Sequence, residues 1–173
     1  MHVEIKEARD ATLLQRTDVA KNLNEKPTLV FIVAQWCPHC VALKPPIETL
    51  KTALATTGVN ILVIELEHFQ RMKNAATSHP LINTLHERGY PRGVPFVGMA
   101  LPPAKPAKPM HQKHSQHQKH SKSKHHTAHH TETHPTAHAT QHQITEHNGP
   151  RNAISMASEL LNTLRANSIN AGK

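Results

Sequence analysis

Apolar and polar residues fall along this chain in blocks whose periods differ, and the periods predict the elements. His2 to Ile5 alternates weakly, as a short first strand would. Thr12 to Leu23 carries Leu13, Leu14, Val19, Ala20 and Leu23 in a helical stripe, and Lys26-Pro27 ends it. Thr28 to Ala34 is an unbroken run rich in β-branched residues, the pattern of a strand buried on both faces. From Cys37 to about Thr57 the period returns to helical, with Leu43, Ile47, Leu50 and Leu54 spaced by four, three and four. Stepping that stripe back by three puts Cys40 on the buried side, and Gly58 closes the helix.

Asn60 to Leu66 predicts a second buried strand, and Phe69 to Arg88 a helix broken at Pro80 and ended by Gly89. Phe96 to Leu101 reads as a further strand and Gln143 to His147 as a short last one. A final helix is expected over Arg151 to Ala166, with Pro150 at its first turn and Ile154, Ala157, Leu161 and Leu164 on the inner side. Strands alternating with helices predict an α/β fold, its sheet parallel at the core and covered on both faces.

Composition changes this picture at one place. Of the 173 residues only 37% are hydrophobic and 3% aromatic, and the formal charge is +8 with 17 histidines counted neutral. The deviation is local. Pro103 to His142 holds eleven His, six Lys and one acid, Glu132, and no Leu, Ile, Val, Phe, Trp or Tyr. Such a stretch cannot bury enough apolar surface to offset its ordering entropy. The expected organisation is a domain in two parts, 1–102 and 143–173, divided by a disordered insert at 103–142. No apolar run approaches the roughly eighteen residues of a membrane span. Met1 to Asp10 lacks a signal-peptide core. The expectation is therefore a cytoplasmic protein that does not engage membranes.

The candidate chemistry sits at Trp36-Cys37-Pro38-His39-Cys40. Both cysteines of the chain form one C-x-x-C between a buried strand and a helix start, where unsatisfied N–H groups and the helix dipole favour an anion. A thiol so placed has its pKa lowered from about 8.5 into a range of roughly 3.5–7.5. Cys37 is expected to be the exposed attacking thiolate, and Cys40, one turn on and inward, the resolving thiol. His39 adds a group that can carry positive charge beside the sulfurs, and a better thiolate is a better leaving group, so Pro38-His39 should favour the oxidised pair. The competing reading is half of a zinc site. A second C-x-x-C is missing, although histidines could complete one.

The segment LVFIVAQWCPHCVALKP resembles the thioredoxin-like superfamily, specifically its thioredoxin and protein disulfide isomerase branches. Two further stretches fit that likeness: Arg92-Gly93-Val94-Pro95, and the turn His147-Asn148-Gly149-Pro150-Arg151. The resemblance implies a central mixed sheet flanked by helices, with the insert in the last hairpin. It implies a bend of the active-site helix at Pro45, a cis-proline at Pro95 facing the dithiol (Pro91 competes for that role), and backbone groups of Val94 offered to an extended substrate. Trp36 would cover the sulfurs and shape the docking surface. It also implies a thiol–disulfide oxidoreductase acting on protein disulfides and dithiols, recycled by a reductase or an oxidase, whose redox centre is the cysteine pair without an organic cofactor. Many members keep a buried carboxylate six residues before the first cysteine. Here that residue is Phe31.

The insert offers the alternative function. His111, His114, His117 and His120 recur every three residues, and His126, His130, His134, His138 and His142 every four. A flexible chain can gather two to four imidazoles weakly around zinc, copper or nickel. Its lysines could attract polyanions, but without aromatics for base stacking a nucleic-acid partner is not expected. Lys44 and Glu48 read as a solvated helix pair, and His68, His79 and His86 as structural.

Overall fold

A computed structural model describes residues 1–6, 8–73, 78–103 and 141–170. Residues 104–140, nearly all of the predicted insert, lie outside the described residues. The chain runs β1 (His2–Ile5), a 3-10 segment (Ala8–Gln15), α1 (Thr17–Glu25), β2 (Thr28–Val33), α2 (Pro38–Ala42) and α3 (Lys44–Ala53). It continues with β3 (Asn60–Glu65), α4 (Leu66–Met72), α5 (Pro80–Glu87), β4 (Phe96–Leu101), β5 (Gln143–Glu146) and α6 (Ala153–Asn170). The strands form one mixed sheet in the order β1-β3-β2-β4-β5. β1, β3 and β2 are parallel, whereas β4 runs antiparallel to β2 and β5 antiparallel to β4.

The period of two along each central strand divides the core into two layers. Val30, Ile32, Leu62, Ile64, Phe96 and Ala100 face one layer, together with Val19 and Leu23 of α1, Phe69 of α4 and Leu81 and Leu85 of α5. Leu29, Phe31, Ile61, Val63, Val97 and Met99 face the other, against Ile47 and Leu50 of α3 and Met156 and Leu160 of α6. Burying both faces of β2 and β3 explains why their sequences carry no polar alternation.

Several boundaries depart from the sequence expectation. The helix expected from Cys37 is two helices that meet at Leu43. Pro45 and Pro46 both lack an N–H, so Val41 and Ala42 lose their partners one turn ahead and the break falls there. Leu43, Ile47, Leu50 and Leu54 are nevertheless all buried. Phe69 to Arg88 is likewise two helices, with α4 starting directly after β3 and α5 starting at Pro80, where a missing N–H costs nothing. His79 caps α5, its Nδ1 accepting from the Leu81 N–H at 3.1 Å. Gly58 and Gly89 take φ of +75° and +72°, a conformation that favours glycine. Glu48 pairs with Lys51 at 2.6 Å, and not with Lys44.

The last helix corrects the expected inner stripe. It begins at Ala153, which leaves Pro150 outside its first turn. Met156 and Leu160 are its buried residues, with Ala153, Ala157 and Leu164 packed at the layer's margin, whereas Ile154 is 80% and Leu161 53% exposed. His142, assigned by composition to the insert, is buried at the entrance to β5: its ring bonds the Leu101 carbonyl at 3.0 Å through Nδ1 and the Asn24 side chain at 3.3 Å through Nε2.

Candidate active site

The C-terminal ends of β2 and β3 and the loop entering β4 converge on the two cysteines. Cys37 is the N-cap of α2, with Pro38 at the first turn, where its missing N–H leaves no bond unmade. The Cys37 N–H reaches back to the Ala34 carbonyl at 3.1 Å, and the Cys37 carbonyl accepts from Cys40 and Val41 at 3.0 and 3.1 Å. These bonds fix where each sulfur points. Both are free thiols, and they sit in a small apolar nest with Ala34, bordered by Val33, Leu66 and Val94. The Cys37 thiol donates to the Val94 carbonyl at 3.7 Å.

Cys37, expected to be exposed, is only 4% exposed, because the N-cap position tucks its sulfur beneath Val94. Cys40 is inward, as its place on the helical stripe requires, at 3%. Trp36 is 70% exposed, so its ring stands mostly in solvent, and the sulfurs are shielded by the Ala34, Leu66 and Val94 side chains instead. Pro38 and His39 are exposed beside it. The Tyr90–Pro91 and Val94–Pro95 peptide bonds are both cis, and Pro95 is buried where it leads into β4.

The two thiols are made unlike by their surroundings. A hydrogen bond from the Cys40 thiol holds the Cys37 pKa below its ordinary value, against the opposing effect of burial. The backbone N–H groups of Cys40 and His39 at the start of α2 add to it, and so does the positive charge of Arg151. Burial pushes the Cys40 thiol up to about 11, reinforced by its bond to Cys37 and by the negative charges of Cys37 and Glu65. The sequence reading anticipated the helix terminus but not Arg151 or Glu65. Both come from distant segments, and nothing local marks them. Glu65 ends β3, and its carboxylate is held by the Gln35 N–H at 2.8 Å. With Cys40 it borders an open cavity of about 540 Å³. Phe31, six residues before Cys37, is fully buried among aliphatic side chains.

Comparisons with known proteins bear on this arrangement. The family model named Thioredoxin matches residues 10–82, a span that contains both cysteines. The chain superposes on the crystal structure of the Trx4 domain of ERdj5 with a TM-score of 0.51 at 13% identity, covering 95% of this chain and 96% of that one. The chain therefore has a thioredoxin-like fold. A second crystal structure, ERdj5 form I, aligns at 11% identity with the same TM-score, over 95% of this chain and 15% of that one. No curated protein matches it in sequence. The mixed sheet is the one the resemblance implied, with β4 and β5 antiparallel at one side. Among the described residues no group of three or more His, Cys, Asp or Glu is placed to hold a metal ion, and no helix is long and apolar enough to cross a membrane. The histidines of 104–140 lie outside the described residues.

Proposed function

We propose that this thioredoxin-like protein is a dithiol–disulfide oxidoreductase of protein substrates, working through Cys37 and Cys40. The geometry that carries the reading is a C-x-x-C at a helix start, with Cys37 as the N-cap of α2 and Cys40 buried one turn on; the lowered Cys37 and raised Cys40 thiols agree with it. An attacking sulfur must be ionised near neutral pH, and a resolving one must stay protonated until it is needed.

The reducing half-cycle follows from these positions. The Cys37 thiolate, stabilised by the Cys40 S–H and the N–H groups of α2, attacks one sulfur of a substrate disulfide. The Cys37–substrate bond forms as the substrate S–S bond breaks, and the departing thiolate takes a proton. Once Cys37 is in the mixed disulfide its negative charge is gone, so one of the effects that raised Cys40 is removed. Cys40 then loses its proton to water in the cavity it shares with Glu65, attacks the Cys37 sulfur and expels the substrate's second thiolate. The two electrons end in the substrate and the pair is left as a Cys37–Cys40 disulfide. Run backwards, the same steps oxidise a substrate dithiol. Deprotonation of Cys37 also frees the Val94 carbonyl, which then faces an incoming segment.

The exposed Pro38-His39 pair supports an oxidising poise, while the cytoplasmic setting expected from the sequence would keep the dithiol reduced by a recycling reductase. Equilibration with glutathione redox buffers in the presence of chelator, read by Trp36 fluorescence, tests the proposal. A defined two-electron transition is expected. A potential near about −270 mV marks a reductant, and one near about −120 to −180 mV an oxidant or isomerase. A Cys37–Cys40 pair with no such transition refutes the function.

A further inference from the structure

A groove of about 560 Å³ runs from Trp36 past the loop that holds Val94. Leu66, Phe69 and Tyr90 give it apolar walls, and the charged side chains that border it at neutral pH are Lys73 and Arg92, both exposed. Among the described residues no carboxylate lines it. Neither cation has an acidic partner among the described residues, whereas Arg16, Lys51 and Arg71 are paired. The Arg92 guanidinium lies over the Tyr90 ring, 5.7 Å from the centroid. His86 also borders the groove, but its ring is stacked on Phe69 at 4.0 Å, and burial with the nearby Lys73 charge lowers its pKa, so it stays neutral near pH 7.

Two unpaired cations beside an apolar wall, next to the Val94 backbone that accepts from the Cys37 thiol, form a surface complementary to an extended segment with negative and apolar side chains. We infer that this groove selects disulfide-bearing polypeptide segments in which acidic residues flank the cysteine, with Lys73 and Arg92 as the selecting residues. The inference rests on the oxidoreductase reading and names its substrate class. Because the cations act on encounter and docking, the preference appears in the second-order rate and weakens with salt.

The test uses the full-length dithiol protein in single turnover against three otherwise identical peptides, in which glutamate, glutamine or lysine flanks a single cysteine activated as a 2-pyridyl disulfide. The Cys37 thiolate forms a bond to the peptide sulfur as the peptide–pyridyl bond breaks, and pyridine-2-thione leaves with the electron pair and is protonated by solvent. Cys40 then displaces the peptide thiolate, so the dithiol supplies both electrons. Thione release at low ionic strength should be roughly three to ten times faster for the glutamate peptide than for the lysine peptide, with glutamine between them. Half-molar salt should bring the three together. Lys73→Gln with Arg92→Gln should flatten the ratio, and Lys73→Glu with Arg92→Glu should invert it. Equal rates for the three peptides on the native protein overturn the inference and leave the oxidoreductase reading intact. A ratio that survives the double glutamine substitution also overturns it, because the selection then comes from the chain's overall positive charge. No thione release with any peptide removes the oxidoreductase reading, and this inference with it.

Discussion

Lowering the pH from about 7 to about 5 should unfold this protein more easily, and His142 sets much of the size of that effect. Burial pushes its pKa down from 6.5 to about 4; the Leu101 carbonyl opposes the change and the nearby His79 adds to it. The unfolded chain binds a proton on this ring below 6.5, whereas the folded one resists until about 4. The stability that neutral His142 confers is therefore complete above 6.5 and is lost as the pH falls toward 4. Each tenfold change in proton affinity corresponds to about 1.4 kcal/mol, which makes the full effect about 3 kcal/mol, of which about 2 kcal/mol is gone by pH 5. His79 and His86, also depressed by burial, move stability in the same direction, so the raw pH dependence is a sum. Urea unfolding of the native protein and of His142→Asn at both pH values isolates the one ring. The asparagine variant is expected to be less stable at pH 7 and to lose about 2 kcal/mol less than the native protein on going to pH 5. An equal loss in both would refute the assignment of the buried, neutral ring, whatever the absolute stabilities.

Two further outcomes follow from the site and the core. In a Cys37→Ser background, Glu65→Gln should lower the Cys40 pKa, because it removes a negative charge while keeping an acceptor for the Gln35 N–H; iodoacetamide alkylation against pH reads this, and an unchanged profile would show that Glu65 does not act on the sulfur. On α6, Leu160→Ala should cost about 2–5 kcal/mol and Leu161→Ala no more than about 0.5 kcal/mol by denaturant unfolding, since the first side chain is buried and its neighbour is half in solvent.

That contrast on α6 shows where sequence reasoning reaches its limit. Ile154, Ala157, Leu161 and Leu164 form a stripe of helical period, but so do Ala153, Met156, Ala157, Leu160 and Leu164. A helix with apolar residues on two overlapping faces leaves its orientation to the surface it meets, here Leu29, Val97 and Met99 of the sheet. β2, β3 and β4 were legible because continuous burial on both faces leaves few alternatives, and the Cys37–Cys40 pair because its chemistry depends on a strand leading into a helix start. Arg151, Glu65, Lys73 and Arg92 were not, since each reaches the site through tertiary placement. His142 was hidden by its composition. It follows a long run of histidines and lysines, and only its proximity to the Leu101 carbonyl and Asn24 separates it from them.

The antiparallel placement of β4 gives the molecule two poles. β2 runs toward the cysteines, while β4 starts beside them after Pro95 and runs away, so that Ala100 lies opposite Thr28. The chain therefore departs for residues 104–140, and returns at β5, from the end of the sheet remote from the dithiol. Six strand residues at about 3.3 Å each set these ends roughly 20 Å apart. A tag or a matrix attached within those residues would join the described sheet at the end remote from the cysteines.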